Sequence, residues 1–151
     1  MEGSMVMRLI VAFIAAVLTT YVIAVLGYTQ LNLANLVEMG VSVAPGIRFD
    51  AALHDLVGMT GLYLPIISIA LLLGFGFTRL VLIWLSELRT LGYIIGGFVA
   101  IFVVDLALGQ LMGTHPLAVT RTTFGLLSQC LAGALGGYVF SLTSVRDEAA
   151  A

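Results

Sequence analysis

The chain has no lysine, one cysteine, three prolines and two histidines. Each shortage closes a class of function. Six arginines against eight acidic residues leave a net charge of −2, so no basic face exists for nucleic acid. Cys130 stands alone, which rules out an internal disulfide and any paired-cysteine zinc pattern. GxSxG, HExxH and P-loop signatures do not occur. Charged residues make up only 9% of the 151 positions, against about one quarter in soluble domains. Apolar residues make up 61%, and the mean hydropathy is +1.16. A chain this short has no core large enough to hide that surface from water. Its solvent is therefore expected to be lipid.

Four apolar stretches are present, at about 9–28, 59–78, 91–112 and 122–142. Each is close to the roughly 20 residues a helix needs to cross the hydrocarbon. None alternates in the manner of a spanning strand, and lipid offers the backbone no hydrogen bonds, so helices are required. The first stretch is longer than a signal-peptide core of roughly 7–15 residues and has no clean A-x-A site after it, which predicts a retained helix. The predicted fold is an all-α integral membrane protein: one transmembrane domain, a bundle of four helices.

The connections differ in kind. Residues 79–90 are apolar but bracketed by Arg79 and Arg89, with Trp84 inside. Trp favours the membrane interface, so an interfacial link is expected, unless the second helix runs on through it. Residues 29–58 are longer than two neighbouring helices require. They divide at Ala44-Pro45-Gly46. Before the division, Asn32, Asn35 and Glu38 recur every third residue as one polar stripe. After it, Asp50 is placed to cap a helix that carries Leu53, Leu56 and Val57 inward. The whole segment is read as amphipathic, interfacial or re-entrant. In the second stretch, Pro65 predicts a bend that frees a carbonyl near Gly61.

Arginine positions set the orientation. With a cytoplasmic N-terminus, Arg8, Arg79, Arg89 and Arg146 fall inside, and Arg48 and Arg121 fall outside. Both termini are then cytoplasmic, and a bacterial inner membrane is the expected location.

Asp105 is the sharpest functional signal. A carboxyl near the middle of a spanning helix costs about 2.5–3.5 kcal/mol on translocon scales, so it is expected to face protein or water. Asp105, Gly109 and Gly113 share one helix face at four-residue spacing, and small residues there admit a neighbouring helix. Gly125, Gln129, Gly133 and Gly137 repeat the pattern in the last stretch. The simple reading is that these faces pack together and that Asp105 and Gln129 share a hydrogen bond. The sharper one is a proton, cation or small-solute site. His54, Asp55 and His115 fall on the predicted outer face, where a mixed His/carboxylate metal site or a carboxylate-oriented base is conceivable. The ordinary reading is a helical Asp50–His54 pair and a turn histidine before Pro116. Arg79 near a boundary is expected to snorkel.

Few polar residues and many small-residue faces point to a non-enzymatic membrane component, a homo-oligomer or a subunit of a membrane complex. A small channel or carrier using Asp105 is the first alternative. A membrane enzyme on a lipid-like substrate is the second. No cofactor is expected. The expected partners are the bilayer, bound lipid, and other copies or membrane proteins.

Overall fold

The computed structural model describes residues 2–111 and 123–144. These are almost entirely helical: α1 (Glu2–Glu38), α2 (Pro45–Gly58), α3 (Tyr63–Leu82), a short 3-10 turn (Ser86–Leu88), α4 (Arg89–Leu111) and α5 (Thr123–Ser144). Among the described residues four helices, α1, α3, α4 and α5, are long and apolar enough to cross a membrane.

The first helix differs from expectation. Residues 29–38 do not leave it; they continue it, and α1 runs for 37 residues. At a rise of 1.5 Å per residue that is about 55 Å, well beyond the roughly 30 Å of hydrocarbon. The Asn32/Asn35/Glu38 stripe is thus the polar end of α1. Gly40 ends it with a positive φ of 87°. The Gly40 N–H donates to the Val37 carbonyl (3.0 Å) and the Val41 N–H to the Leu36 carbonyl (3.1 Å). That is the Schellman arrangement, in which glycine takes the left-handed position at least cost.

The second helix is capped differently from prediction. Ala44, not Asp50, stands at its N-cap, and Pro45 opens the first turn, where its missing N–H costs nothing. Nor do Leu53 and Val57 point inward: they are 48% and 78% exposed, while Ala52 is buried and Leu56 packs against the core. Pro65 likewise lies in the first turn of α3 rather than at a mid-helix bend. The chain breaks just before it, at Met59–Leu62. The 79–90 link is shorter than predicted, because α3 keeps Arg79–Leu82; Trp84 in the turn that follows is 89% exposed.

Side-by-side packing rests on small residues. Helix α4 packs on α5 and on α3, and α5 packs on α1. A Cβ at Gly97 would overlap the Gly133 carbonyl, one at Gly133 would overlap the Gly97 carbonyl, and one at Gly137 would overlap the Tyr93 carbonyl. On the next face of α4, a Cβ at Gly96 would strike Thr78 of α3. Across α5, a Cβ at Gly136 would strike Thr20 of α1. Gly133 and Gly137 thus sit in the predicted seam, but their partner is Gly97 with Tyr93. Gly109 is only half-buried, and Gly113 lies outside the described residues.

An aromatic layer fills one half of the interior. Phe75 stacks on Phe140 (4.6 Å between ring centroids) and meets Tyr93 edge-on (5.6 Å); Phe13 closes the layer from α1 (6.4 Å from Phe75). Four helices meet there, each pair contributing about 0.5–1.5 kcal/mol beyond its buried area.

Gly133→Leu is therefore expected to cost well over the roughly 1–3 kcal/mol of ordinary overpacking, since the obstruction is backbone. Leu131→Ala, at an exposed position of the same helix, should cost far less. Thermal unfolding in detergent checks both; equal melting temperatures would place the seam elsewhere.

Candidate functional site

A polar layer occupies the other half of the interior. Gln129 of α5 is fully buried, and both ends of its amide are engaged. Its Oε1 accepts from the Tyr63 hydroxyl at 2.8 Å. Its Nε2 donates to the Ala24 carbonyl at 3.0 Å. One side chain thereby ties α5 to α3 and α1. The Ala24 carbonyl already belongs to a helix ladder, and a second lone pair makes the extra bond possible.

Asp105 joins this layer from α4. It is 4% exposed, and its Oδ2 has no hydrogen-bond partner among the described residues. The predicted Asp105–Gln129 hydrogen bond is not formed: the Gln129 Nε2 donates to the Ala24 carbonyl and its Oε1 accepts from Tyr63 instead. The Asp105 carboxyl acts electrostatically on the Tyr63 hydroxyl and the Cys130 thiol. The antiparallel register fixed by Gly97–Gly133 and Tyr93–Gly137 sets Asp105 opposite Gly125, a buried glycine.

The break between α2 and α3 lies at the same level. Tyr21 of α1 donates to the Leu56 carbonyl at 2.6 Å, and its oxygen lies 3.1 Å from Thr60 Oγ1. Further along, Thr29 donates to Asp55 Oδ2 at 2.7 Å and Arg48 to Gln30 Oε1 at 3.2 Å. As α2 descends from Arg48 to Leu56, its contacts on α1 move from Gln30 back to Tyr21. Helix α2 therefore lies lengthwise and antiparallel along α1, in line with α3. Pro65 has no N–H to offer the Gly61 carbonyl, so the break keeps a backbone acceptor without its helical donor.

Of His54, Asp55 and His115, the two that are described face different ways. His54 is exposed, whereas its neighbour Asp55 turns inward to Thr29. His115 lies outside the described residues. Among the described residues no group of three His, Cys, Asp or Glu side chains could hold a metal ion. Neither Tyr63 nor Tyr21 was singled out from sequence. A tyrosine next to a helix break, three residues past a threonine, was the available signal.

No protein family, curated protein or solved structure matches the chain.

Gln129→Leu should strand the Tyr63 hydroxyl in a buried site, at about 1–3 kcal/mol. Tyr63→Phe removes the other partner, and the double variant should cost clearly less than the two single changes together. Denaturation in detergent measures this coupling, and strict additivity would show that the bond contributes nothing.

Proposed function

We propose that the chain is an integral membrane protein of non-enzymatic type, working as a homo-oligomer or as a subunit of a membrane complex. Its depth in the bilayer follows from the arginines. Arg8, Arg79 and Arg89 each stand about one turn beyond the aromatic layer of Phe13, Phe75 and Tyr93, at one end of the helices. Exposed Trp84 belongs to the same end, as expected of an interface anchor. Counting roughly 20 residues from Arg8 sets the far boundary near Tyr28. On that frame α2 dips into the outer leaflet, and its exposed Phe49, Leu53 and Val57 meet lipid. The inner end is the arginine-rich one, which puts both termini in the cytoplasm, with a bacterial inner membrane as the setting.

One observation carries the assembly reading. A groove of about 630 Å³ runs along α3 and α4 from Ala70 to Val104, and no charged side chain lines it. Gly74, Gly92, Gly96 and Ala100 form its floor, where they pack α3 against α4, and exposed Phe77, Ile95 and Val99 stand along it as ridges. A second helix laid in the groove would pack against those ridges, and without a hydrophobic drive such packing is what holds helices together in lipid. The α4 side alone, Leu91–Val104, is about 20 Å long. A lipid chain of one leaflet covers only about half of the roughly 30 Å hydrocarbon, so the groove suits a crossing helix of a second copy better.

A second reading, a small channel or carrier for protons or cations, is favoured by Asp105, whose buried carboxyl keeps one oxygen unpaired among the described residues.

Val99→Trp fills the groove. Native mass spectrometry from detergent should then report a single copy where the unmodified chain reports two or more. Loss of a retained lipid instead would assign the groove to lipid, and an unchanged copy number would move the interface to another face.

A further inference from the structure

The buried polar layer has an asymmetry in depth. Ala24, the α1 contact of Gln129, is four residues from Tyr28 and sixteen from Arg8. At 1.5 Å per residue the layer is about 6 Å from the outer boundary and about 24 Å from the inner one. Between it and the inner end stands the ring-on-ring aromatic layer of Phe75, Tyr93 and Phe140, where the other buried polar side chains among the described residues are the single hydroxyls of Thr20, Thr78 and Ser141. At the level of the layer stand Tyr21, Thr60 and the interrupted backbone at Met59–Leu62, and toward the outer end stand Thr29 and Asp55. A broken helix in a membrane is tolerated where its backbone lines a cavity or is covered by protein, and such breaks recur at binding sites.

The carboxyl of Asp105 fits this setting. Its helix brings it to the layer opposite Gly125, and Gln129 of the same layer is engaged with Tyr63 and Ala24. Tyr63 from α3 and Cys130 from α5 are the titratable groups that act with it. Tyr21 of α1 and Asp55 of α2 are engaged with Leu56 and Thr29, and no cationic side chain among the described residues acts on the Asp105 carboxyl. A buried carboxylate without a countercharge is costly, and a proton is the smallest ligand that removes the charge. An Asp that only held two helices together would direct both oxygens at donors. Here Oδ2 is left over among the described residues.

We infer that Asp105, closed beneath the α2–α3 break, is a proton-binding site that exchanges with the outer face and is sealed from the inner one. It rests on the membrane reading for its sidedness but not for its existence. The proton enters along the break, where Thr60 and Tyr21 supply hydroxyls, and binds at the free carboxyl oxygen. Tyr63 and Gln129 hold the floor of the site and are positioning residues.

Infrared spectroscopy of the purified protein in detergent tests this without any assumed activity. The C=O stretch of a protonated carboxyl should be present at acid pH and absent from Asp105→Asn. It should disappear reversibly as pH rises and shift within minutes of transfer to heavy water. Asp105→Glu, which keeps the carboxyl, should restore a titrating band even if the Asn variant folds poorly. A band that persists at every pH or fails to exchange would make Asp105 a fixed structural donor. A band never present would mean a permanent carboxylate. Either result overturns the inference, while the membrane reading is tested separately by impermeant cysteine labelling of Asp50→Cys in a Cys130→Ala background.

Discussion

Backbone contact between α4 and α5 is the constraint on which the rest depends. Gly97 and Gly133 meet carbonyl against Cα, and Gly137 meets Tyr93 in the same way. In lipid, apolar side chains gain little by leaving hydrocarbon for protein, so association must come from close packing and from hydrogen bonds. Glycine makes both available along one line. The register set there decides which side chains share a level. It brings Tyr93 and Phe140 into one layer and sends Asp105 toward the far end, opposite Gly125. Helix α5 offers a second small face to α1 through Ala132 and Gly136, which makes it the most buried of the long helices.

Two interior layers result, with opposite chemistry. The aromatic one is dry and ties four helices by shape. The polar one is tied by Gln129, whose amide reaches α3 and α1 together. Each bond there is worth only about 0.5–1.5 kcal/mol net, but a broken one leaves a buried group unsatisfied. Polar satisfaction therefore fixes the level of the α2–α3 break as firmly as packing fixes the opposite half. Tyr21 takes the Leu56 carbonyl at the end of α2, and Tyr63 opens α3 with its hydroxyl already engaged.

Much of this was legible in the sequence, and the misses have physical causes. The four long apolar helices could be read because lipid demands length and hydropathy of each one independently. Gly133 and Gly137 stood out by spacing. Gly97 did not, because Gly92 and Gly96 lie on the adjacent face of α4, and sequence does not say which neighbour each face meets. The inward face of α2 was assigned to its leucines by the logic of a soluble core. That logic inverts where the outside is apolar: Leu53 and Val57 face out, while Asp55 and Leu56 face α1. The burial of Asp105 was readable from the cost of exposing it to lipid. Its lack of a bond to Gln129 was not, since Tyr63 is distant in sequence from both. His54 and Asp55 are adjacent in sequence and for that reason point to different sides of a helix.

The central claim is that α2 enters the outer leaflet, so that the polar layer and Asp105 lie within the membrane. Depth-dependent fluorescence quenching tests it most directly. A single tryptophan is placed at Leu53, with Trp84 replaced by Phe, in vesicles whose lipids carry bromine at known positions along the chains. Strong quenching from the upper acyl chain, with protection from a water-soluble quencher, is the result the account predicts. Quenching by the aqueous reagent alone would place α2 outside the bilayer and contradict it.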